Sequence, residues 1–504
     1  MLEELGVDKD ANAHSPAVEV LNVSRALYVD WLRAISVYLV VLGHVVVAVV
    51  QNSRDVERLN AGSRRKINGS LRYFVQFMMP LFFYLSGRAV CFSRDSALVF
   101  IAKRAHRLLL PLVFGMILFV VPGQAMSHEW RACGTRDEHR FFHYYEAYFT
   151  KDMACNGVDW LWFLPVLFGI MVFNLPLVLW IRTRYDPTIG VDTRRNFKLI
   201  DVRHLGAQLA LFVGLIIVMS VLFGGDGVVW VLTGLGGYTI IVFAFLFKHV
   251  LVRFLGPFGY HLLFLTPVIT SCVWALVAIE IKFDLFLIPT ICHHNMFFVG
   301  GVLAQMFRIE YATSKLLASS KRLLPVGLFV FLVTMGATAP TVADGVGYLW
   351  AWPLYPDDWA SRLLFVIGGW TWIALLTRLG QAYYNETLSN FQYIYLSSSS
   401  FIVYTCHYFF ILLVVYLITD RYELIWYWSV LIILVLSVPM MWIFFLLCLA
   451  IPPLGYVMGM PYRRRRSRGK KAQVNITSSD PAAGGTPATR PEASLAQGAA
   501  PTPA

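Results

Sequence analysis

Long apolar runs recur along this chain from residue 28 to residue 451, divided by short polar stretches. A helix rising about 1.5 Å per residue needs roughly 18 to 25 such residues to cross a hydrocarbon core. Read this way, the chain predicts about twelve spans, centred near Leu39, Leu81, Met116, Gly169, Gly214, Ile240, Thr270, Phe298, Phe331, Trp370, Ile411 and Val438. The count falls to ten or eleven if the short second run drops out, or if the runs at Gly214 and Ile240, divided only by GGDG, are one. The expected fold class is therefore an all-α polytopic membrane protein, a bundle of about ten to twelve transmembrane helices around a polar central cavity. No internal repeat of the kind that builds inverted-repeat transporters stands out.

The pattern breaks where polar residues sit inside the apolar runs. The first run, DWLRAISVYLVVLGHVVVAVV, carries Arg33 and His44. Eleven positions of helix come to about 1100° of rotation and about 16 Å of rise, so the two side chains share one face. A cation and an imidazole are costly against lipid, and a shared polar stripe faces protein or water. The third run opens with KRAHRLLLPLVFG, in which Arg104 and Arg107 lie three apart on one helix face. Two planar guanidinium forks side by side suit a polyphosphate or carboxylate; they also suit the ordinary positive-inside pattern. The second run ends in MPLFFYLSGRAV, where Ser86 and Gly87 allow a close backbone approach or a break, and Ser86 offers a hydroxyl. Late in the chain, SSFIVYTCHYFF puts His407 at mid-depth in a span of the same polarity as the first, so His44 and His407 can meet in one cavity.

Lesser candidates remain. His293 and His294 point about 100° apart, which makes them poor joint metal ligands and leaves them as lining for an external vestibule. His128, Glu129, His139 and His143 match no zinc spacing, and no metal site is predicted. No Walker loop, nucleophile elbow or dinucleotide fingerprint occurs in a supporting context.

Composition agrees with the pattern: 58% of residues are apolar and 14% charged, where soluble domains carry about a quarter charged. The net charge of +12 does not point to nucleic acid. Much of it lies in RRRRSRGKK, Arg463 to Lys471, straight after the last span, where it fits a juxtamembrane anchor on anionic lipid. Basic loops after the second, fourth, sixth and eighth spans fall on one side if both termini are cytosolic. The loop holding Arg54, Arg58, Arg64, Arg65 and Lys66 disagrees and is outvoted. No cleavable leader is evident at the N-terminus. The expected organisation is a cytosolic tail over 1–25, a transmembrane domain over 26–460, and a basic, then disordered, cytosolic tail over 461–504. The seven cysteines are scattered. Most suit packing; Cys133 and Cys155 share one loop and can pair if it faces an oxidising side.

Five stretches, RALYVDWLRAISVYLVVLGH, MPLFFYLSG, RAHRLLLPLVFG, WLWFLPVLFG and SSFIVYTCH, stand in an order that resembles the multipass membrane-bound acyltransferase family three, which includes sugar O-acetyltransferases. The run RLLLPLVFGMILFVVPGQ looks most like its glucan succinyltransferase branch. The resemblance covers about residues 25 to 170 and 395 to 415. It implies that the family's essential arginine and histidine fall on Arg33 and His44. Its Arg-x-x-Arg donor motif falls on Arg104 and Arg107, its late Tyr-x-x-His element on Tyr404 and His407, and its serine on Ser86. Arg88 departs from the pattern, where the family often has an aromatic or aliphatic residue.

Residues and resemblance together give an expected function. The chain is read as an integral-membrane O-acyltransferase in the plasma membrane or an endomembrane. It would move an acyl group, acetyl or similar, from cytosolic acyl-CoA to a hydroxyl of a carbohydrate or other acceptor on the external side. Arg33, Arg104 and Arg107 would hold the CoA phosphates, His44 would act as general base, and His407 or Ser86 would orient it or stabilise the oxyanion. Three other readings stand against this: a proton-coupled or solute transporter using the buried Arg/His stripe, an acyl carrier without acceptor specificity, and a receptor-like protein.

Overall fold

The computed structural model describes residues 16–52, 77–126, 158–191, 265–273, 287–306, 359–383, 399–419 and 426–460, except 94 and 187–189, together with Tyr145, Glu146, Tyr148, Phe149 and a few isolated positions. The loops carrying Arg54 to Lys66, His128 to His143, Cys133 and Cys155, residues 1–15 of the expected N-terminal tail and the whole expected C-terminal tail lie outside the described residues, while residues 16–25 of the first tail belong to a helix that runs on into the first span.

The helices in chain order are α1 (Pro16–Asn52), α2 (Met78–Val90), α3 (Ala97–Gly115), α4 (Val121–Met126), α5 (Phe163–Phe173), α6 (Leu175–Arg184), α7 (Leu287–Met306), α8 (Trp359–Tyr383), α9 (Ser399–Val414), α10 (Trp426–Ala450) and α11 (Pro452–Val457). Among the described residues the only strands are Tyr185–Asp186 and Gly190–Val191, a two-residue antiparallel pair. The protein is thus an all-α membrane protein. Four described helical stretches are long and apolar enough to cross a membrane: Tyr28–Val49, Ala97–Met126, Ser399–Ile418 and Tyr427–Ala450.

Two of these stretches contain π-helical segments. Met116–Val120 joins α3 to α4, and Val415–Thr419 extends α9. A π segment inserts an extra residue per turn and turns the helix that follows onto a new face. Pro111 in α3 and Pro439 in α10 lie within helices, a placement membrane helices tolerate because neighbours satisfy the freed carbonyls.

Contacts fix the relative directions. His44 on α1 meets His407 on α9, and Tyr38 reaches Ser399, so α1 and α9 run together. Gly115 lies against Thr405 and Gly123 against Leu412, so α3 and its continuation α4 run the same way. Arg88, near the end of α2, lies over the ring of Tyr28, near the start of the membrane stretch of α1, which sets α2 against that direction. α7 runs parallel to α2. A Cβ on Gly87 would strike the carbonyl of Phe298, and one on Gly301 would strike the carbonyl of Tyr84. This reciprocal backbone approach is the reason for the Ser86–Gly87 step, since small residues let membrane helices pack closely. α10 turns Leu431, Val435, Ile443 and Leu447 outward, as a helix beside lipid does.

α9 is the inner helix of the described bundle. Ile402, Val403, Cys406, Tyr408, Ile411 and Leu412 on it are all buried, as is His407. Cys91, Cys406 and Cys448 are buried and serve as packing residues.

Candidate active site

The first-helix stripe and the late histidine come together. The Nδ1 atom of His44 lies 3.3 Å from Nε2 of His407, with the rings edge-on at 4.8 Å and 71°. Two backbone carbonyls fix the sense of this bond. Nδ1 of His44 is 2.9 Å from the Val40 carbonyl, one helical turn back. Nδ1 of His407 is 2.6 Å from the Tyr404 carbonyl. A carbonyl only accepts, so each Nδ1 carries a hydrogen. Nε2 of His407 then holds a lone pair and accepts from His44 Nδ1–H, which is shared between the carbonyl and the second imidazole. The remaining basic nitrogen of the pair outside these bonds is Nε2 of His44. His407 is completely buried with both nitrogens committed, so it cannot itself take a proton from a substrate. The pair is asymmetric by construction: one imidazole reacts and the other holds it.

The pair rests on an aromatic floor. Tyr408 lies 5.1 Å from His44, edge-on, and Trp160 lies 5.1 Å from Tyr408. The Trp160 indole N–H donates to the Thr405 carbonyl at 3.1 Å, and the Tyr404 hydroxyl donates to the Trp160 carbonyl at 2.7 Å. These two bonds strap the start of the α5 region to α9 within the turn that precedes His407.

Toward the start of α1 the charges gather. Arg33 is 3.8 Å from Asp30, and both side chains keep contact with the surroundings, at 33% and 24% exposure. Arg107 lies close enough for its charge to act on Arg33. Arg107 is exposed, and Arg104 is half-buried over the ring of Phe100 at 5.1 Å. The turn after α11 braces this end of α3. Tyr456 packs on His106 at 4.2 Å, and Gly459, at φ +78°, sits against the Arg107 carbonyl and Pro111. Arg33 shares α1 with His44, and the charges of Asp30 and Arg107 gather around it toward the start of that helix.

Ser86 is buried in α2, and among the described residues no hydrogen bond joins it to either imidazole. One expectation is corrected. His293 and His294 line no vestibule. They are 1% and 0% exposed. His294 is stacked on Phe83 at 4.3 Å and 11°, and on Trp162 at 5.4 Å and 25°. Hydropathy marks such residues as polar, but the aromatic wall between α2, α5 and α7 has closed over them.

Sequence reasoning passed over three features. Arg88 is buried and donates through Nε and Nη2 to Gln305, at 3.3 and 3.1 Å, under the ring of Tyr28. Asn174, which follows the last residue of α5, donates to Asn295 on α7 at 2.6 Å. Gln124 donates to the carboxylate of Asp159, both buried, and Asp159 has φ +47°. Their signal was available: a polar side chain inside an apolar run needs a partner.

Residues 26–191 match a family model described as an acyltransferase domain. No curated protein and no solved structure matches the chain. The matched stretch holds Arg33, His44, Ser86, Arg104 and Arg107, while His407 comes to the site from beyond it. The described helices and this match are those of a membrane protein whose residues 26–191 are similar to the acyltransferase domain of acyltransferase family 3.

Proposed function

We propose that the chain transfers an acyl group from acyl-CoA to a hydroxyl, with the donor held from the arginine end and the acceptor reaching His44 from the other. The observation that carries this reading is the His44–His407 hydrogen bond, with both rings pinned by carbonyls. In the reaction, Nε2 of His44 takes the proton of the acceptor hydroxyl as its oxygen attacks the thioester carbonyl. The intermediate collapses, the C–S bond breaks, and the departing sulfur takes the proton back from Nε2. Protons and electrons balance, with free CoA thiol and an ester as products. His407 holds no substrate. Its lone pair steadies the Nδ1–H of His44 while that ring is briefly an imidazolium, as a general base requires. Arg33, Arg104 and Arg107 supply planar donors for phosphate oxygens, a match that lysine meets less well. The expected placement is donor on the cytosolic face, with a carbohydrate or similar acceptor on the external face.

The test is release of free thiol from acetyl-CoA by the full chain in nanodiscs, with and without hydroxyl acceptors. Thiol release in step with ester formation supports the reading. Movement of a polar solute into vesicles with no acyl-CoA present, and no thiol release, would replace it with a transporter.

A further inference from the structure

A hydrogen bond between His44 and His407 needs α9 to be turned correctly about its own axis. A helix with its side chains is about 10–12 Å across, so a side-chain tip lies roughly 5–6 Å from the axis, and a roll of about 10° carries it about 1 Å. The two nitrogens are 3.3 Å apart, already at the long end for a hydrogen bond. A shift of about 1 Å away from His44 breaks it. Apolar burial is non-directional and sets such an angle loosely, whereas hydrogen bonds set it sharply.

Trp160 supplies such bonds in the turn of α9 that precedes His407. It is buried in the short 3-10 turn Asp159–Trp162. Its indole N–H donates to the Thr405 carbonyl at 3.1 Å, and its own carbonyl accepts from the Tyr404 hydroxyl at 2.7 Å. The two bonds run in opposite directions between the same two segments, so α9 is held at two points and a roll strains both. A helix carbonyl that accepts its own i+4 N–H keeps a second lone pair, so the indole adds a bond to Thr405 without displacing one. On the peptide just before, the Tyr404 carbonyl takes Nδ1–H of His407 at 2.6 Å. Of two consecutive α9 carbonyls, one therefore carries the strap and the other carries the imidazole. The indole ring lies edge-on to Tyr408 at 5.1 Å, and Tyr408 lies edge-on to His44 at 5.1 Å. Gly123 leaves room for that ring, since a Cβ there would lie 3.2 Å from it. Trp160 thus bears on both imidazoles through their neighbours.

We propose that Trp160 is the positioning residue of the imidazole pair: its strap sets the rotation of α9 and so delivers the lone pair of His407 to Nδ1–H of His44. Its service to acyl transfer rests on the acyltransferase reading above; its ordering of the pair does not. The indole N–H is the part of the side chain that acts, because phenylalanine offers a ring without a donor. Trp160 and His407 then work in series. Loss of either removes the same bond to His44, so their losses do not add.

The experiment sets wild type, Trp160→Phe, His407→Ala and the double variant side by side in nanodiscs. Turnover and half-saturating concentrations are measured with acetyl-CoA and methyl glucoside. The rate at which diethyl pyrocarbonate modifies His44 is read by peptide mass spectrometry, which needs no acyl transfer. Trp160→Phe should lower turnover about tenfold and leave both half-saturating concentrations within twofold of wild type. The double variant should fall no further than His407→Ala, within twofold. Modification of His44 should slow at least threefold in each single variant and no further in the double one, because Nε2 of His44 loses the polarising bond at Nδ1. Losses that multiply to about a hundredfold in the double variant, or half-saturating concentrations that move with turnover, overturn the proposal and make Trp160 a packing residue. So does a Trp160→Phe protein with turnover and His44 modification both within twofold of wild type. Where Trp160→Phe does not assemble, Tyr404→Phe takes its place with the same expected results, since it breaks the other bond of the strap and keeps the carbonyl that holds His407. If wild type releases no thiol with any acceptor, the acyltransferase reading fails, and the His44 modification rates alone decide whether Trp160 orders the pair.

Discussion

Two pairs of histidines lie buried in this protein, and they are built on opposite principles. His44 and His407 are 363 positions apart in the chain and share a hydrogen bond. His293 and His294 are neighbours in sequence and meet only as rings, 5.0 Å apart and edge-on. In the first pair each Nδ1 has a carbonyl, so tautomer, ring angle and direction of the shared proton are all set. In the second pair, His294 packs its ring on Phe83 and Trp162, and neither of its nitrogens has a hydrogen-bond partner among the described residues. Burial does not separate them, since His407 is as deeply enclosed as His293 and His294. What separates a reactive imidazole from a packed one is directional bonding at the nitrogens.

The largest effect breaks the first pair at its reacting member. His44→Ala removes the general base and should lower acyl transfer by about 10² to 10⁴-fold, measured as ester formed per minute at saturating donor and acceptor. His44 is half-buried, so folding should survive the loss of the ring. Activity within twofold of wild type would mean that the pair is structural, and the contrast with His293–His294 would vanish.

The next effect concerns the arginines near each pair. The bonded pair shares α1 with Arg33, which feels Arg107; the stacked pair shares α7 with Gln305, which holds Arg88. Arg104→Lys and Arg107→Lys each replace a planar fork with a point charge, and should raise the acetyl-CoA concentration for half-maximal rate by about tenfold. Arg88→Lys should leave that concentration within twofold and lower thermal stability instead, since it loosens a buried clamp between α2 and α7. Donor titrations and melting curves on the three variants separate the two. The reverse outcome would move the donor to the α2–α7 side.

These distinctions were only partly legible in the sequence. The Arg33–His44 stripe was, because eleven helical positions nearly close three turns. The meeting of His44 with His407 was, because counting residues into two spans of the same polarity puts them at similar heights. That the two imidazoles bond head to side was not, since it depends on how α1 and α9 are rotated against each other. His293 and His294 were misjudged because hydropathy does not say which polar residue an aromatic wall will cover. Ser86 was assigned by motif, and among the described residues no hydrogen bond joins it to either imidazole, while its neighbour Gly87 did what small residues in membranes do. Asp159 and Gln124 stayed hidden because a left-handed residue and a π segment leave no mark on a periodicity read at 100° per residue.

A smaller effect sharpens the role of His407. Its bond to His44 is neutral and shared with a carbonyl, so its net contribution is about 1 kcal/mol. His407→Ala should therefore cost about tenfold in turnover rather than abolish it. His407→Gln offers an amide oxygen to the same Nδ1–H and should recover part of the loss. A purely structural role would show no such recovery, because glutamine lacks the ring that packs beside Tyr404. The readout is turnover at saturating substrates for the three proteins, set beside their melting temperatures.

The smallest effect is the one that completes the contrast. His294→Phe keeps a flat ring against Phe83 and Trp162 and removes two nitrogens that make no hydrogen bond among the described residues. A buried polar atom left unbonded costs about 1–3 kcal/mol, and replacing it with an apolar group of the same shape relieves that cost. The variant should therefore keep turnover within twofold and melt at the same temperature or higher. His44→Phe would also keep a flat ring in a buried aromatic setting, yet should lose the activity that His44→Ala loses. If the two phenylalanine variants behaved alike, bonding at the nitrogens would not be what distinguishes the pairs, and the chemistry assigned to α1 would have to be shared with α7.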